Sequence, residues 1–225
     1  MLKGKTNKFF MILTLFVIAM ILITVFLLFQ NKTQNHSAKE LFDKVKDHPT
    51  MGHKDAKVKV VEFGDYTCPY CKALNADIKK HLYKDFDKKD VSFTYATRSV
   101  HGEVSDLGNR AMHAVHINAP DKYWAFHQAM FDKQTDEAPE SWMNEKTIQQ
   151  VLKYTGVSES KRQKIQDAYQ NPKSEAQAKL DQDKILADEQ NVKQVPSVFV
   201  NGHKVENGTD YKQIKAQINK ELKQK

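Results

Sequence analysis

Residues 58–71 read Val58-Lys59-Val60-Val61-Glu62-Phe63-Gly64-Asp65-Tyr66-Thr67-Cys68-Pro69-Tyr70-Cys71. Val58, Val60, Val61 and Phe63 make a short apolar run rich in β-branched residues, the pattern of a buried central strand. The run breaks at Gly64-Asp65. Beyond Cys68-Pro69-Tyr70-Cys71, the residues Leu74, Ile78, Leu82 and Phe86 recur at helical spacing. Pro69 suits the first turn of that helix, where a missing N–H does no harm. Val91, Phe93 and Tyr95 then alternate as a second strand. The opening unit is strand–helix–strand, with a cysteine pair at the N-terminus of the helix.

These are the only two cysteines in 225 residues, so neither a multiply bridged scaffold nor a four-cysteine zinc site is open to the chain. Three uses remain: cycling between dithiol and disulfide, half of a metal site, or a structural bridge. The redox use has a physical basis. Unpaired N–H groups and a partial positive charge at a helix N-terminus favour a thiolate at Cys68. Cys71, one turn inside, is expected to be more buried and to resolve a mixed disulfide formed at Cys68. A Cys₂His₂ zinc site with His113 and His116 has the right number of ligands, but the two histidines lie on what reads as a helical face. A bridge across so short a loop constrains the unfolded chain little.

Outward from this unit, residues 102–190 carry helical signals without a strand. Leu107, Ala111, Ala114 and Val115 share one face, and Tyr123, Trp124, Phe126, Met130 and Phe131 form an aromatic cluster. Val195-Pro196-Ser197-Val198-Phe199-Val200 reads as a strand entered through a proline. Asn201-Gly202 is a hairpin turn, with a short return strand at His203-Lys204-Val205. Tyr211, Ile214, Ile218 and Leu222 mark a closing helix.

At the other end, residues 9–29 form an uncharged, almost wholly apolar run, preceded by Lys3, Lys5 and Lys8. As a helix it would be about 31 Å long, close to the hydrocarbon thickness of a bilayer. The lysines place the N-terminus in the cytoplasm and the rest of the chain outside, where disulfides persist. A cleaved signal peptide competes with this signal-anchor reading, although its apolar region is usually about 7–15 residues and ends in small residues. The divisions expected are a cytoplasmic stub and transmembrane segment over 1–30, a tether with a short helix over 31–56, a helical insertion over 102–190, and an α/β fold split between 57–101 and 191–225.

The remaining composition excludes other classes. Hydrophobic residues are 40% and charged residues 28%, enough apolar material for a core and against disorder. The formal net charge of +7 falls to +4 once residues 1–29 are set aside, with 32 basic against 28 acidic residues, and arginine occurs only at Arg98, Arg110 and Arg162. That is a solvated surface rather than a nucleic-acid footprint.

In this order the segments resemble the thioredoxin superfamily, and within it the DsbA-like thiol–disulfide oxidoreductases, from about Val58 to Leu222. The resemblance rests on residues 61–71, on the helical block between the second and third thioredoxin strands, on Tyr123-Trp124-Ala125-Phe126-His127 with Met130-Phe131, and on residues 195–202. It implies a thioredoxin fold with an inserted helical domain, behind the N-terminal transmembrane helix. It implies Cys68 as the attacking and Cys71 as the resolving cysteine, and Pro69 and Tyr70 as the dipeptide that tunes the potential. A cis Pro196, flanked by Val195, would contact extended substrate, and Glu62 would be a proton acceptor for Cys71. A surface or salt-bridged Glu62 is the other reading. Implied partners are reduced, unfolded exported proteins and a membrane or small-molecule reoxidant, with no cofactor and no metal. One departure is Tyr70, where the best-known oxidases often carry His; tyrosine cannot supply a positive charge to the Cys68 thiolate. Pro-Tyr is also the glutaredoxin dipeptide. The function implied is an extracytoplasmic oxidase. The alternatives are a reductase or isomerase on the same fold, and a non-catalytic binding or chaperone module with a structural disulfide.

Overall fold

The computed structural model describes the backbone of residues 3–224 and the side-chain surroundings of 11–26 and 38–224. At its centre is a five-stranded sheet in the order β1-β3-β2-β4-β5. Its strands are β1 (Thr50–Met51), β2 (Val58–Gly64), β3 (Val91–Thr97), β4 (Ser197–Val200) and β5 (His203–Lys204). Strands β2 and β3 run parallel, and β1, β4 and β5 are antiparallel to their neighbours. The parallel pair is joined by helix α2 (Pro69–Asp85), as a parallel connection requires. β2 is buried along nearly its whole length and β3 throughout; the apolar run of β2 shows this in the sequence, whereas β3 alternates and buries Ser92, Thr94 and Thr97 as well.

One face of the sheet presents Val58, Val60, Val91, Phe93, Val198 and Val200 to α2 and the closing helix, together with the helical block. The opposite face presents Val61, Phe63, Ala96 and Phe199. It is covered by Leu41 and Val45 from the end of helix α1 (Lys3–Val45) and by Leu186 and Ala187 from helix α8 (Glu175–Glu189). The chain turns from β4 into β5 with positive φ at both Asn201 (48°) and Gly202 (81°), the backbone that an Asn-Gly hairpin turn needs. Between β3 and β4 lie α3 (Gly102–Asn118), α4 (Tyr123–Lys133), α5 (Pro139–Trp142), α6 (Glu145–Tyr154), α7 (Glu159–Gln170) and α8; α9 (Tyr211–Lys223) closes the chain. Helix α3 is the hub of the block, packed by α4, α7 and α8.

Two differences from the sequence expectation concern the first 56 residues. The segment read as a tether contains β1, whose two residues pair with Phe93 and Thr94, and α1 ends as an integral cover of the sheet. The apolar run 9–29 is part of α1, and the large apolar side chains over 11–26 are 45–64% exposed. Among the described residues no helix is long and apolar enough to cross a membrane. The expected spanning segment extends at both ends into residues whose side chains lie outside the described set.

A buried carboxylate ties the two halves together. Asp183 on α8 is fully buried, and its Oδ2 accepts from the backbone N–H and the hydroxyl of Thr97, both at 2.7 Å. His48 Nε2 lies 2.5 Å from Oδ1 and His113 Nε2 3.2 Å from Oδ2. Burial alone would raise the Asp183 pKa, but the charge and hydrogen bonds of His113 and His48 hold it well below the usual carboxylate range. A group depressed in the folded state stabilises the fold fully above the unfolded carboxylate pKa, and that contribution is lost as pH falls through the folded value. Asp183→Ala leaves two buried imidazoles and a Thr97 N–H unpaired and is expected to cost about 3–5 kcal/mol. Urea unfolding at neutral pH measures this, and the gap between variant and parent narrows below about pH 4. An unchanged urea midpoint would contradict the role of Asp183 as a tie.

Candidate active site

Cys68 is the N-cap of α2 with Pro69 in the first turn. Strand β2 ends at Gly64, and Asp65 shapes the three-residue passage to the helix. Asp65 is fully buried; its Oδ1 accepts from the Thr67 N–H and hydroxyl, both at 2.9 Å, and its Oδ2 accepts from the Val100 N–H at 2.8 Å. The Thr67 hydroxyl also meets Ser105 Oγ at 3.0 Å and His101 Nδ1 at 2.7 Å. Gln134, after α4, donates to the Tyr66 carbonyl at 2.6 Å, and Lys72 donates to the Gln134 carbonyl at 2.6 Å. The cysteine-bearing turn is thus fixed by the helical block on both sides. Asp65 makes an Asx turn over Asp65-Tyr66-Thr67 that was not singled out from the sequence, although Asp is a residue type that favours one; its other bond, to Val100, spans 35 residues.

The two thiols are free and unlike. Cys68 is 6% exposed and Cys71 fully buried. The Cys68 pKa is lowered to about 7. The Cys71 thiol hydrogen-bonds to its sulfur and the backbone N–H groups of Cys71 and Tyr70 add to the effect, against burial and the Asp65 charge. Burial pushes the Cys71 thiol well up, and the hydrogen bond to Cys68 and the charge of Glu62 push it further. Near neutral pH the outer sulfur is therefore the readily ionised one and the inner one a thiol. The side chains of Pro69 and Tyr70 stand exposed, Tyr70 by 65%, and the Tyr70 amide is among the groups that lower the Cys68 pKa.

Opposite the cysteines, the Val195–Pro196 peptide bond is cis. Pro196 is buried and Val195 half-buried, and the Val195 carbonyl accepts from Cys68 Sγ at 3.5 Å. Beneath them, Glu62 on β2 is 1% exposed, and its Oε1 has no hydrogen-bond partner. Burial pushes its carboxyl up to about 8, with a contribution from Cys68. The surface or salt-bridged reading of Glu62 does not hold: the β2 register turns this side chain inward, under α2. His113 pairs with Asp183 and His116 with the Asp47 carbonyl. Among the described residues no group of three His, Cys, Asp or Glu is placed to hold a metal ion.

The strongest single support for the Cys68 thiolate is the Cys71 thiol. Cys71→Ala is expected to raise the ionisation midpoint of Cys68 from about 7 toward that of an ordinary cysteine, followed by ultraviolet thiolate absorbance against pH. A midpoint that stays near 7 would contradict this and assign the effect to the helix amides alone.

Comparison with known proteins agrees with the geometry. The family model described as Thioredoxin matches residues 44–220. Disulfide bond formation protein D of Bacillus subtilis (strain 168) is 36% identical over 197 residues, which are 87% of this chain and 86% of that protein. The probable disulfide bond formation protein D of Bacillus anthracis is 30% identical over 175 residues, 77% of this chain and 78% of that one. The crystal structure of oxidised BdbD from Bacillus subtilis superposes with a TM-score of 0.72 at 34% identity, covering 80% of this chain and 95% of that chain. A dithiol with one activated sulfur, a facing cis-proline and these relatives lead to one assignment: the chain belongs to the thioredoxin family, as a DsbA-like thiol–disulfide oxidoreductase.

Proposed function

We propose that this chain is an oxidase that donates a Cys68–Cys71 disulfide to exported proteins. The observation that carries the reading is the asymmetry of the two sulfurs, with Cys68 stabilised as a thiolate at the tip of α2. Stabilising the reduced form makes the disulfide a stronger oxidant. A substrate thiolate attacks Cys68 Sγ, the Cys68–Cys71 bond breaks, and a mixed disulfide forms at Cys68. Cys71 leaves as a thiolate and takes a proton, for which the buried Glu62 carboxyl, with its pKa raised to about 8, is the donor. In the reverse direction Glu62 accepts that proton. A second substrate thiolate then attacks the substrate sulfur and releases Cys68 as the better leaving group.

The cis Val195–Pro196 segment beside Cys68 supports a role in holding extended substrate by strand-like pairing. Substrates of this kind are reduced and unfolded. The relatives' names, which refer to disulfide bond formation, favour the oxidising direction. Turnover then needs a membrane or small-molecule reoxidant. The alternative, a less oxidising pair run as a reductase or isomerase, is favoured by Tyr70, whose amide supports the Cys68 thiolate while its side chain adds no positive charge.

The same reading places the catalytic fold outside the cytoplasm, anchored through residues 9–29. Its support is the lysine-flanked apolar run and the exposure of the apolar side chains over 11–26; a helix that is apolar all round is stable only when covered.

In a single-turnover assay the oxidised protein should remove one pair of thiols per molecule from a reduced, unfolded protein. Cys68→Ser should abolish this, and Cys71→Ala should accumulate the mixed disulfide seen on non-reducing gels. Thiol loss that survives Cys68→Ser would contradict the proposed chemistry. For the anchor, the native protein should resist alkaline extraction from membranes and begin within its first residues by mass spectrometry; a start after residue 30 would contradict it.

A further inference from the structure

Glu62 is not the only buried polar group left without a partner beneath α2. Its registered neighbour on β3 is Tyr95. Tyr95 is fully buried, and its hydroxyl also has no hydrogen-bond partner. Registered residues of adjacent strands point to the same face of a sheet, so both side chains enter the layer that holds Cys71. Position 64, two residues beyond Glu62 and on the same face, is glycine. A Cβ there would sit 2.7 Å from the Tyr95 hydroxyl oxygen and 2.9 Å from Glu62 Oε1. The two oxygens therefore share one space above the Gly64 backbone, which any side chain would fill.

Packing does not account for the hydroxyl. An orphaned buried donor costs on the order of 1–3 kcal/mol, and phenylalanine would fill the same volume without that cost. The adjacent Tyr66 is equally buried, and its hydroxyl is satisfied by His127 Nδ1 at 3.0 Å. Tyr95 instead packs its ring edge-on against His127, with centroids 4.5 Å apart, and sends its hydroxyl to the side where the carboxyl lies. The Glu62 charge raises the Cys71 pKa, and the charges of Cys71 and Glu62 raise that of Tyr95 after burial.

We propose that Tyr95 is a positioning residue for the Glu62 carboxyl: its hydroxyl reaches the carboxylate through one bridging water in the space above Gly64 and holds it as the proton acceptor of Cys71. This deepens the proposed function and rests on the reading that Glu62 exchanges a proton with Cys71. The step concerned is the release of a thiol from a mixed disulfide at Cys68. The Cys71 proton passes to the Glu62 carboxylate, the Cys71 sulfur attacks Cys68 Sγ, the Cys68–Cys71 bond forms, and the bond to the outer sulfur breaks to release a thiolate. Sulfur oxidation levels are conserved, so no further oxidant enters. The titratable groups around the pair are Cys68 and Cys71 at the start of α2, Asp65 and Tyr66 from the turn after β2, and Tyr123 and His127 from α4. Burial pushes His127 down to about 3, so it is neutral throughout the range of the test.

The test is the rate of thiol release from the full chain charged at Cys68 with a small chromogenic thiol, measured against pH in the parent, Tyr95→Phe and Glu62→Gln. The parent should show an inflection near 8, set by Glu62. Glu62→Gln should remove it. Tyr95→Phe deletes one donor to the carboxylate, which makes the carboxyl less acidic, so the inflection should move up by about half a pH unit or more while the urea midpoint shows the fold intact. A structural role for the hydroxyl would move the urea midpoint and leave the inflection in place. An inflection unmoved in Tyr95→Phe but absent in Glu62→Gln overturns the role of Tyr95 and leaves that of Glu62 standing. An inflection that survives Glu62→Gln overturns both.

Discussion

A sulfur atom seated at the first turn of α2, receiving a hydrogen bond from the Cys71 thiol and the influence of two backbone N–H groups, is the interaction on which the rest of this structure depends. It requires a helix that begins at Cys68, and Pro69 starts the helix there. It requires a turn that does not shift, and Asp65, Thr67 and Gln134 hold that turn through bonds to Val100, Ser105 and the Tyr66 carbonyl. It also requires that the second sulfur remain protonated, and full burial of Cys71 ensures this. The chemistry needs the two sulfurs to differ, and the fold makes them differ by depth.

The helical block is part of that arrangement. Helix α3 follows directly from the loop that holds Asp65 and Thr67, and α8 carries the carboxylate that binds Thr97 at the end of β3. Thr97 is registered with Gly64, the last residue of β2 before the active-site turn. A buried charge satisfied by two imidazoles, an amide and a hydroxyl therefore sits one strand away from the turn that presents Cys68. Polar groups of this kind are costly unless fully paired, and Asp183 is paired on both oxygens. Glu62 Oε1 and the Tyr95 hydroxyl are not, and these two share the space above Gly64 in the layer that holds Cys71.

The parts legible in the sequence were those written in short-range pattern. The apolar run at 58–63, the cysteine pair before a helical period, the proline-led strand at 195–200 and the Asn201-Gly202 turn each carry a local signal, and the cis bond at Pro196 followed from the motif. The parts that were not legible depend on distant pairing. β1 has two residues and exists only through its ladder with β3. The His48–Asp183–His113 cluster brings together residues up to 135 positions apart. Glu62 could be read as buried or exposed because an acid in a strand gives no sign of its partner; the register against Tyr95 decides it. At Tyr70 the sequence shows the side chain but not the backbone N–H that the fold brings to bear on Cys68.

The direction of electron flow is the central claim, and the reduction potential of the Cys68–Cys71 pair tests it most directly. Equilibration of the protein with glutathione buffers, read by trapping free thiols, should give a value near that of strongly oxidising pairs, about −120 mV. A value near about −270 mV, that of a reducing thioredoxin, would contradict the account and make the same site a reductase that draws on an electron supply.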